Sequence, residues 1–223
     1  MDKDIIFYNR FFNHEIMAGS YAVRSSEFSK SFLRGWADYE FSLPSGKHGR
    51  DQGALHMWLV KRFAPQSHIG KICELLWNTS VDYGTLSTFT VCCREVLKTA
   101  DLSNLFVFDK GKGWARDGWL TNSHWNAEVD FMFHIRKEAD KIYYKPEDVG
   151  KLFGRGHYPW FDTLKTPAQL SSCANASLDW EHDRSLVVSK NALLSHLQAK
   201  KRSIESQYQL TVRRLKKKFG DFR

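Results

Sequence analysis

The chain has 223 residues, of which 42% are hydrophobic and 26% charged, a composition that is typical of a folded globular protein and excludes an intrinsically disordered one. No apolar run in the sequence approaches the length of a membrane-spanning helix, about 18 residues. Its N-terminus has no signal-peptide core. Residues 196–223 carry +7 of the formal net charge of +8, so the basic character belongs to the C-terminal segment and the rest is close to neutral.

Two strands and a helix are predicted at the start of the chain. Residues 4–8 form a short apolar run that predicts a buried strand, and residues 15–24 alternate in part between apolar and polar side chains, which predicts a second. Either Ser25 or Ser26 is a suitable N-cap for the helix that follows. The apolar face of that helix consists of Phe28, Phe32, Trp36 and Tyr39.

Further helices and strands are predicted towards the C-terminus. Periodic apolar side chains predict a helix over residues 86–99, and short apolar runs predict strands over 105–108 and 130–134. A long helical pattern over 185–218 ends in a basic cluster. Beyond Gln198 the apolar positions become sparse while the cations crowd together, so we expect that half of the helix to project from the body or to lie loosely on it.

The segment HGRDQGALHMWL, residues 48–59, places an acid and an amide directly before a helical apolar pattern. Asp51 is predicted at or near the N-cap, where its carboxylate can accept backbone N–H groups. Capping does not account for Gln52, a neutral donor and acceptor beside the carboxylate. A carboxylate and an amide together can bind the vicinal hydroxyl groups of a sugar. Asp51 and Gln52 are therefore a candidate site.

Strands that alternate with amphipathic helices predict an α/β fold with a mostly parallel sheet. In such folds ligands bind at the carboxyl ends of the strands. This rule selects three places, namely Gly19-Ser20, Asp51-Gln52 and the residues after Phe133. Each follows a strand-like or loop segment and carries polar groups that a core does not need. We therefore expect Gly19, Asp51 and His134 to converge on one open cleft.

His134 ends an apolar strand and is followed by Arg136 and Lys137. An imidazole can coordinate a divalent cation while the two cationic side chains neutralise phosphate oxygens, so the three residues suit a metal-bound diphosphate. A structural, hydrogen-bonded histidine is the alternative. The preceding segment carries three tryptophans, which either stack on sugars or fill the core. They are Trp114, Trp119 and Trp125.

The four cysteines show no metal-ligand spacing, so a zinc site is not expected. The adjacent pair Cys92 and Cys93 would point to different sides of a helix. An even number of cysteines permits disulfides without requiring them. Asn78-Thr79-Ser80 and Asn175-Ala176-Ser177 are acceptor patterns for N-glycosylation, which have meaning only if the chain enters the secretory route.

Residues 11–59 and 112–137 resemble an expanded nematode family of largely uncharacterised proteins. That family is classed with the GT-A nucleotide-sugar glycosyltransferases and is distantly similar to galactosyl- and xylosyltransferases of the galactomannan type. The resemblance covers about residues 4–137. It implies a GT-A-like mixed sheet with flanking helices and a retaining transfer of a sugar from a nucleotide-sugar donor to a glycan acceptor, assisted by Mn²⁺.

The resemblance also implies roles for residues of the donor pocket. Ala18-Gly19-Ser20 matches the small-residue turn that lines the pocket, and Arg24 follows at the usual offset. Asp51-Gln52 matches the acid–amide pair near the donor sugar, which makes these two residues the candidate catalytic groups. The chain departs from distant relatives at Arg50, where many of them have a second acid.

For the metal, His134 matches the family's metal-binding histidine at the end of DFMFH, and Lys137 matches the cation that contacts the diphosphate. Such enzymes hold the metal mainly through an Asp-x-Asp that follows a buried strand in the preceding part of the fold. The Asp-x-Asp of this chain, Asp2-Lys3-Asp4, lies ahead of its first strand. We therefore expect the metal site to be incomplete and the chain to be incomplete or inactive as written.

By this resemblance residues 1–145 are the C-terminal part of a GT-A-like domain, 146–184 an irregular extension and 185–223 a basic helical tail. The tail is a candidate for contact with an anionic membrane or another polyanion, and no specific nucleic acid is expected. The Golgi or secretory lumen is expected for full-length relatives; for this chain no location is predicted. Two alternatives remain, a non-catalytic carbohydrate-binding module and a basic-tailed nucleic-acid-binding protein.

Overall fold

The computed structural model describes residues 2–44, 50–134, 160–164 and 182–221. They form a mixed α/β protein of small sheets and helices with a long C-terminal helix, which confirms the α/β class. Two compact units are present, one of Met1–Gly113 with Lys201–Arg223 and the other of Trp114–Lys200.

The first unit contains a three-stranded sheet in the order β2-β1-β3. The predicted strand over 4–8 is β1 (Ile5–Tyr8), which pairs in parallel with β3 (Leu105–Phe108). The short β2 (Ala22–Val23) pairs with β1 in the antiparallel sense. The strand predicted over 15–24 is thus much shorter, because the backbone N–H groups before β2 donate to side chains of a helix, as described below.

Four helices separate β2 from β3 along the chain. They are α1 (Glu27–Asp38), α2 (Arg50–Phe63), α3 (His68–Asn78) and α4 (Tyr83–Leu97), with a 3₁₀ turn (Tyr39–Ser42) after α1. Ser26, one of the two predicted caps, is the N-cap of α1. Its hydroxyl oxygen accepts a hydrogen bond from the N–H of Ser29 across 3.1 Å. No predicted element corresponds to α3.

Aromatic and aliphatic side chains from these elements form the core of the first unit. Phe7, Phe32, Leu55 and Phe89 are fully buried. Removal of this apolar surface from water is the main stabilising contribution to the unit. A disulfide between Cys73 and Cys92 joins α3 to α4. Cys93 is a buried free thiol, which agrees with the expectation that the adjacent cysteines point to different sides, and Cys173 lies outside the described residues.

The last helix, α5 (Lys190–Phe219), confirms the long helical pattern. The expectation that its distal half projects or lies loosely is wrong. Ile204, Val212 and Leu215 are at most 7% exposed, and the Tyr208 hydroxyl donates to Glu95 of α4 across 2.5 Å. The apolar side chains recur every three or four residues, so they face the core as one stripe while the cations occupy the other faces.

The second unit contains a parallel pair of strands, β4 (Ala115–Asp117) and β5 (Met132–His134). Short 3₁₀ turns at Gly118–Thr121 and Arg184–Leu186 also belong to this unit. The predicted strand over 130–134 begins two residues later. Buried apolar side chains of this unit are Trp119, Leu120, Trp160, Phe161, Leu186, Leu193 and Leu197.

Most of the predicted extension 146–184 lies outside the described residues, so the division into 1–145, 146–184 and 185–223 stays a prediction. Among the residues that the structure describes, no helix is both long and apolar enough to cross a membrane.

Candidate functional site

In the first unit, Gln52 holds the predicted donor-binding turn against α2. Its Nε2 donates to the carbonyl of Ile16 across 2.6 Å, and its Oε1 accepts the N–H of Ala18 across 2.7 Å. At the other end of the turn, the hydroxyls of Ser20 and Tyr8 lie 3.2 Å apart. The structure therefore brings Ala18, Ser20 and Gln52 together, and Gln52 uses both ends of its amide to position the turn.

His56, one helical turn after Gln52, also binds this turn and was not among the predicted site residues. Its Nε2 accepts the N–H of Ile16 across 3.0 Å, and its Nδ1 lies 2.7 Å from the carbonyl of Gln52. Because Nε2 accepts, Nδ1 carries the proton and donates, which fixes the neutral tautomer. Burial lowers the pKa of His56 to about 4. The sequence signal was available, since residues at i and i+4 of a helix share a face.

Asp51 lies in the first turn of α2 and is exposed. This location confirms the prediction that it is near the N-cap. Its carboxylate is favourably placed at the positive end of the helix dipole. Gly53 serves packing, because a Cβ there would lie 2.6 Å from the indole nitrogen of Trp77. Asp51 is thus accessible and directly precedes Gln52 in the sequence.

Arg24 and Asp4 form an ion pair, with the guanidinium Nη2 3.0 Å from Oδ1 of Asp4. The other carboxylate oxygen accepts from the amide of Asn104 across 2.7 Å. Hydrogen bonds from Asn104, Ser26 and Arg24 lower the pKa of Asp4 to about 2. Asp4 therefore helps to hold the ends of β1 and β3 together, and Arg24, a predicted donor-binding residue, contacts Asp4 with a half-exposed side chain.

In the second unit, His134 is oriented by a buried carboxylate. Its Nδ1 lies 3.2 Å from Oδ1 of Asp117, whose side chain is 1% exposed, whereas that of His134 is 40% exposed. The carboxylate can only accept, so Nδ1 donates and Nε2 is the ring atom left to bind a ligand. A carboxylate on one ring nitrogen is the usual support of a metal-ligating histidine. Asp117 was not predicted.

The predicted manganese site is only partly covered by the described residues. Within the described ranges, no three His, Cys, Asp or Glu side chains gather in a group that could hold a metal ion. Lys137 and Arg136 lie outside those ranges. Manganese, with His134 as one ligand, therefore stays a prediction. Asp51 belongs to the first unit and His134 to the second, so the expectation that they share one cleft also stays a prediction.

The second unit contains an open cavity of about 380 Å³, lined in part by the two residues of β5 that precede His134. Phe131 is 86% exposed, and the rings of Trp125 and His182 meet edge to face with centroids 5.2 Å apart. The lining residues are Trp125, Asp130, Phe131, Met132, Phe133, Thr163 and His182. We call this the β5 pocket.

A buried ion pair with Arg116 holds Asp130, one of the residues that line the β5 pocket. The guanidinium of Arg116 binds both oxygens of Asp130, across 2.7 and 2.8 Å, and lies 4.7 Å from the centroid of the Phe133 ring. Such a fork-to-carboxylate pair fixes geometry as well as charge. The backbone N–H of Asp130 donates to the carbonyl of Asn126 across 2.9 Å, so Asp130 belongs to a turn and the strand predicted to begin there starts at Met132.

The three predicted tryptophans have different surroundings. Trp119 is 3% exposed and belongs to the core, Trp125 lines the β5 pocket, and Trp114 is partly buried. Phe131, Thr163 and His182 were not among the predicted site residues. Phe131 could have been chosen from the sequence, because it follows Asp130 in the segment that was selected for His134. Thr163 and His182 come from distant parts of the chain and could not.

A family model described as "Protein of unknown function, DUF273" matches residues 1–149, about two thirds of the chain. No curated protein and no solved structure matches the chain.

Proposed function

This chain belongs to the DUF273 family, and we propose that it is a glycosyltransferase-like protein that binds the sugar of a nucleotide-sugar donor in the β5 pocket. The resemblance of residues 4–137 to GT-A nucleotide-sugar enzymes motivates the donor class. Retaining transfer to a glycan acceptor and residence of the full-length protein in the Golgi or secretory lumen are parts of the same proposal.

The β5 pocket is the observation that carries the proposal. Aromatic faces pack against the C–H face of a sugar ring, and the pocket is lined by the exposed ring of Phe131 and by Trp125, which is half-buried. Thr163 and His182 add hydroxyl and imidazole groups that can bind sugar hydroxyls. The cavity volume falls in the lower part of the range of small-molecule sites, about 300 to 1,000 Å³, which suits a single sugar ring with part of its diphosphate.

His134 and the first unit have separate roles in the proposal. Asp117 orients His134 at the end of the strand whose other residues line the pocket, so its Nε2 is assigned to the donor's diphosphate side. Asp51, in the first unit, stays the candidate carboxylate of the predicted acid–amide pair and is not assigned to the β5 pocket. Gln52 is a positioning residue, since its amide holds the Ala18 turn.

A non-catalytic carbohydrate-binding protein is the second candidate. One observation favours it: both ends of the Gln52 amide, predicted to act near the sugar, are bonded to the backbone. A binding protein needs the pocket alone and would release no nucleotide. Incubation of the full chain with donor and glycan acceptors, followed by measurement of released nucleoside diphosphate, separates the two. Release that is lost in Asp51→Asn supports an enzyme, and binding without release supports the binding protein.

Calorimetric titration of the full chain with uridine and guanosine diphosphate sugars, with and without Mn²⁺, tests the proposal. We expect weak binding, with Kd about 0.1 to 1 mM, because one imidazole cannot replace an acidic pair on a hard cation. The free diphosphate nucleotide should bind more weakly than the sugar nucleotide. Equal affinity for both, or no binding of any donor at several times these concentrations, would contradict the proposed role of the pocket.

A further inference from the structure

The acceptor pattern Asn78-Thr79-Ser80 falls at the exposed C-terminal end of α3. We propose that Asn78 carries an N-linked glycan. In this reaction Nδ2 of Asn78 forms a bond to C1 of the first sugar of a lipid-diphosphate-linked oligosaccharide. The bond between C1 and the diphosphate oxygen breaks, the lipid diphosphate leaves, and the amide nitrogen loses one proton.

The local geometry leaves the acceptor side chain available. Thr79 Oγ1 donates to the carbonyl of Leu75 across 2.9 Å, and Ser80 Oγ donates to that of Leu76 across 2.8 Å. Asn78 is exposed, and within the described part of the chain its amide makes no hydrogen bond. The fold thus uses both hydroxyls of the pattern to end the helix and presents the asparagine to solvent, where a glycan has room.

The disulfide is an independent observation that points to the compartment where this modification occurs. Cys73 and Cys92 are bonded, and the loop that they close contains Asn78. Structural disulfides form and persist in oxidising compartments such as the lumen of the endoplasmic reticulum. N-glycosylation takes place on chains that enter this lumen, so the bond and the acceptor pattern require the same environment.

The surface around Asn78 also suits a glycan. Leu75 and Val81, three residues before and after it, are 55% and 72% exposed, and Tyr83 is 81% exposed. A bulky, hydrophilic glycan on Asn78 would shield these apolar side chains from contact with other molecules. This expectation concerns solubility and does not depend on the β5 pocket.

The test is secretion of the full chain from a eukaryotic cell behind a cleavable signal sequence, with Asn175→Gln as the background so that one acceptor remains. We expect a gel shift on treatment with an N-glycosidase, and mass spectrometry should find the Asn-to-Asp conversion at position 78. Asn78→Gln and Ser80→Ala should each abolish the shift, while Ser80→Thr, which preserves the acceptor pattern, should retain it.

Because the glycan is added before folding is complete, chains retained in the cell are scored together with secreted ones. A misfolded variant therefore still gives a result. The proposal would be overturned if Asn78 were unmodified in Asn175→Gln chains that have reached the lumen. Free thiols at Cys73 and Cys92 in folded protein from the lumen would remove its second support.

Discussion

The N–H of Ala18 donates to the side-chain oxygen of Gln52 across 2.7 Å. Together with the bond from the Gln52 amide nitrogen to the carbonyl of Ile16, it anchors a turn to α2. These backbone groups would otherwise be available to pair with a neighbouring strand. Gln52→Ala removes both bonds and leaves the backbone groups without these partners. We expect a loss of about 1 to 3 kcal/mol in the free energy of unfolding, measured by urea denaturation. Gln209→Ala, at an exposed position of α5, is the matched control and should change it by less than about 0.5 kcal/mol. Equal effects would show that the two bonds add no stability.

Stability should fall as the pH is lowered from about 6.5 towards 4, because of His56. Burial lowers the pKa of His56 to about 4, below the about 6.5 of an unfolded histidine. Between these values the unfolded chain binds a proton that the folded chain does not, so acid favours unfolding. His14, whose pKa burial also lowers to about 4, acts in the same direction.

The measurement is the slope of unfolding free energy against pH in His56→Gln and His68→Gln. The first should have a shallower slope between pH 4 and 6.5 whatever its absolute stability, because one of the histidines whose pKa burial lowers is gone. His68 is exposed at the start of α3, so His68→Gln is the control for the loss of an imidazole at the surface. An unaltered slope in His56→Gln would contradict the neutral, buried state of this ring.

The distal half of α5 should contribute to the stability of the first unit. Leu215 is 3% exposed and Leu210 is 50% exposed on the same helix. Leu215→Ala should cost about 2 to 5 kcal/mol of unfolding free energy, and Leu210→Ala less than about 1 kcal/mol, both measured by chemical denaturation. Similar small losses in the two variants would mean that this half of the helix is an appendage after all.

The Cys73–Cys92 bond should stabilise the fold by constraining the unfolded chain. For a closed loop of this length, 19 residues apart in sequence, the expected contribution is about 3 kcal/mol. Addition of a reductant should lower the unfolding temperature of the wild-type chain and leave that of a Cys73→Ala, Cys92→Ala variant unchanged. If the reductant lowered the unfolding temperature of the wild-type chain and of the double variant equally, the effect would have a cause other than this bond.

The sequence was sufficient where the signal is local. Ser26, the apolar face of α1 and the strand at Ile5–Tyr8 follow from caps and periodicity within a few residues. The buried stripe on α5 was also readable, since Ile204, Tyr208, Val212 and Leu215 recur at helical spacing, but the surrounding cations concealed it.

Relationships between distant residues could not be predicted in the same way. Four cysteines allow three pairings, and nothing local selects Cys73 with Cys92. The β5 pocket joins side chains from both sides of residues 135–159, so His182 and Thr163 become candidates only once the chain is folded. Gln52 was correctly chosen as unusual, but its partners, the backbone groups of Ile16 and Ala18, belong to a turn more than thirty residues away.

The most direct test of the central claim, that the β5 pocket binds a nucleotide sugar, is NMR of the full chain labelled at its methionine methyl groups. The chain has four methionines; Met132 lines the pocket, and Met57 is 2% exposed in the first unit. Titration with uridine and guanosine diphosphate sugars should shift the Met132 signal, assigned with Met132→Leu, and leave Met57 in place.

The shift should disappear in Phe131→Ala and persist in Phe41→Ala, because Phe41 is equally exposed, at 89% against 86%, but lies in the first unit. This result would place the donor on the aromatic face of the β5 pocket. A Met132 signal that stays fixed at donor concentrations which saturate binding, or a shift that survives in Phe131→Ala, would contradict the account.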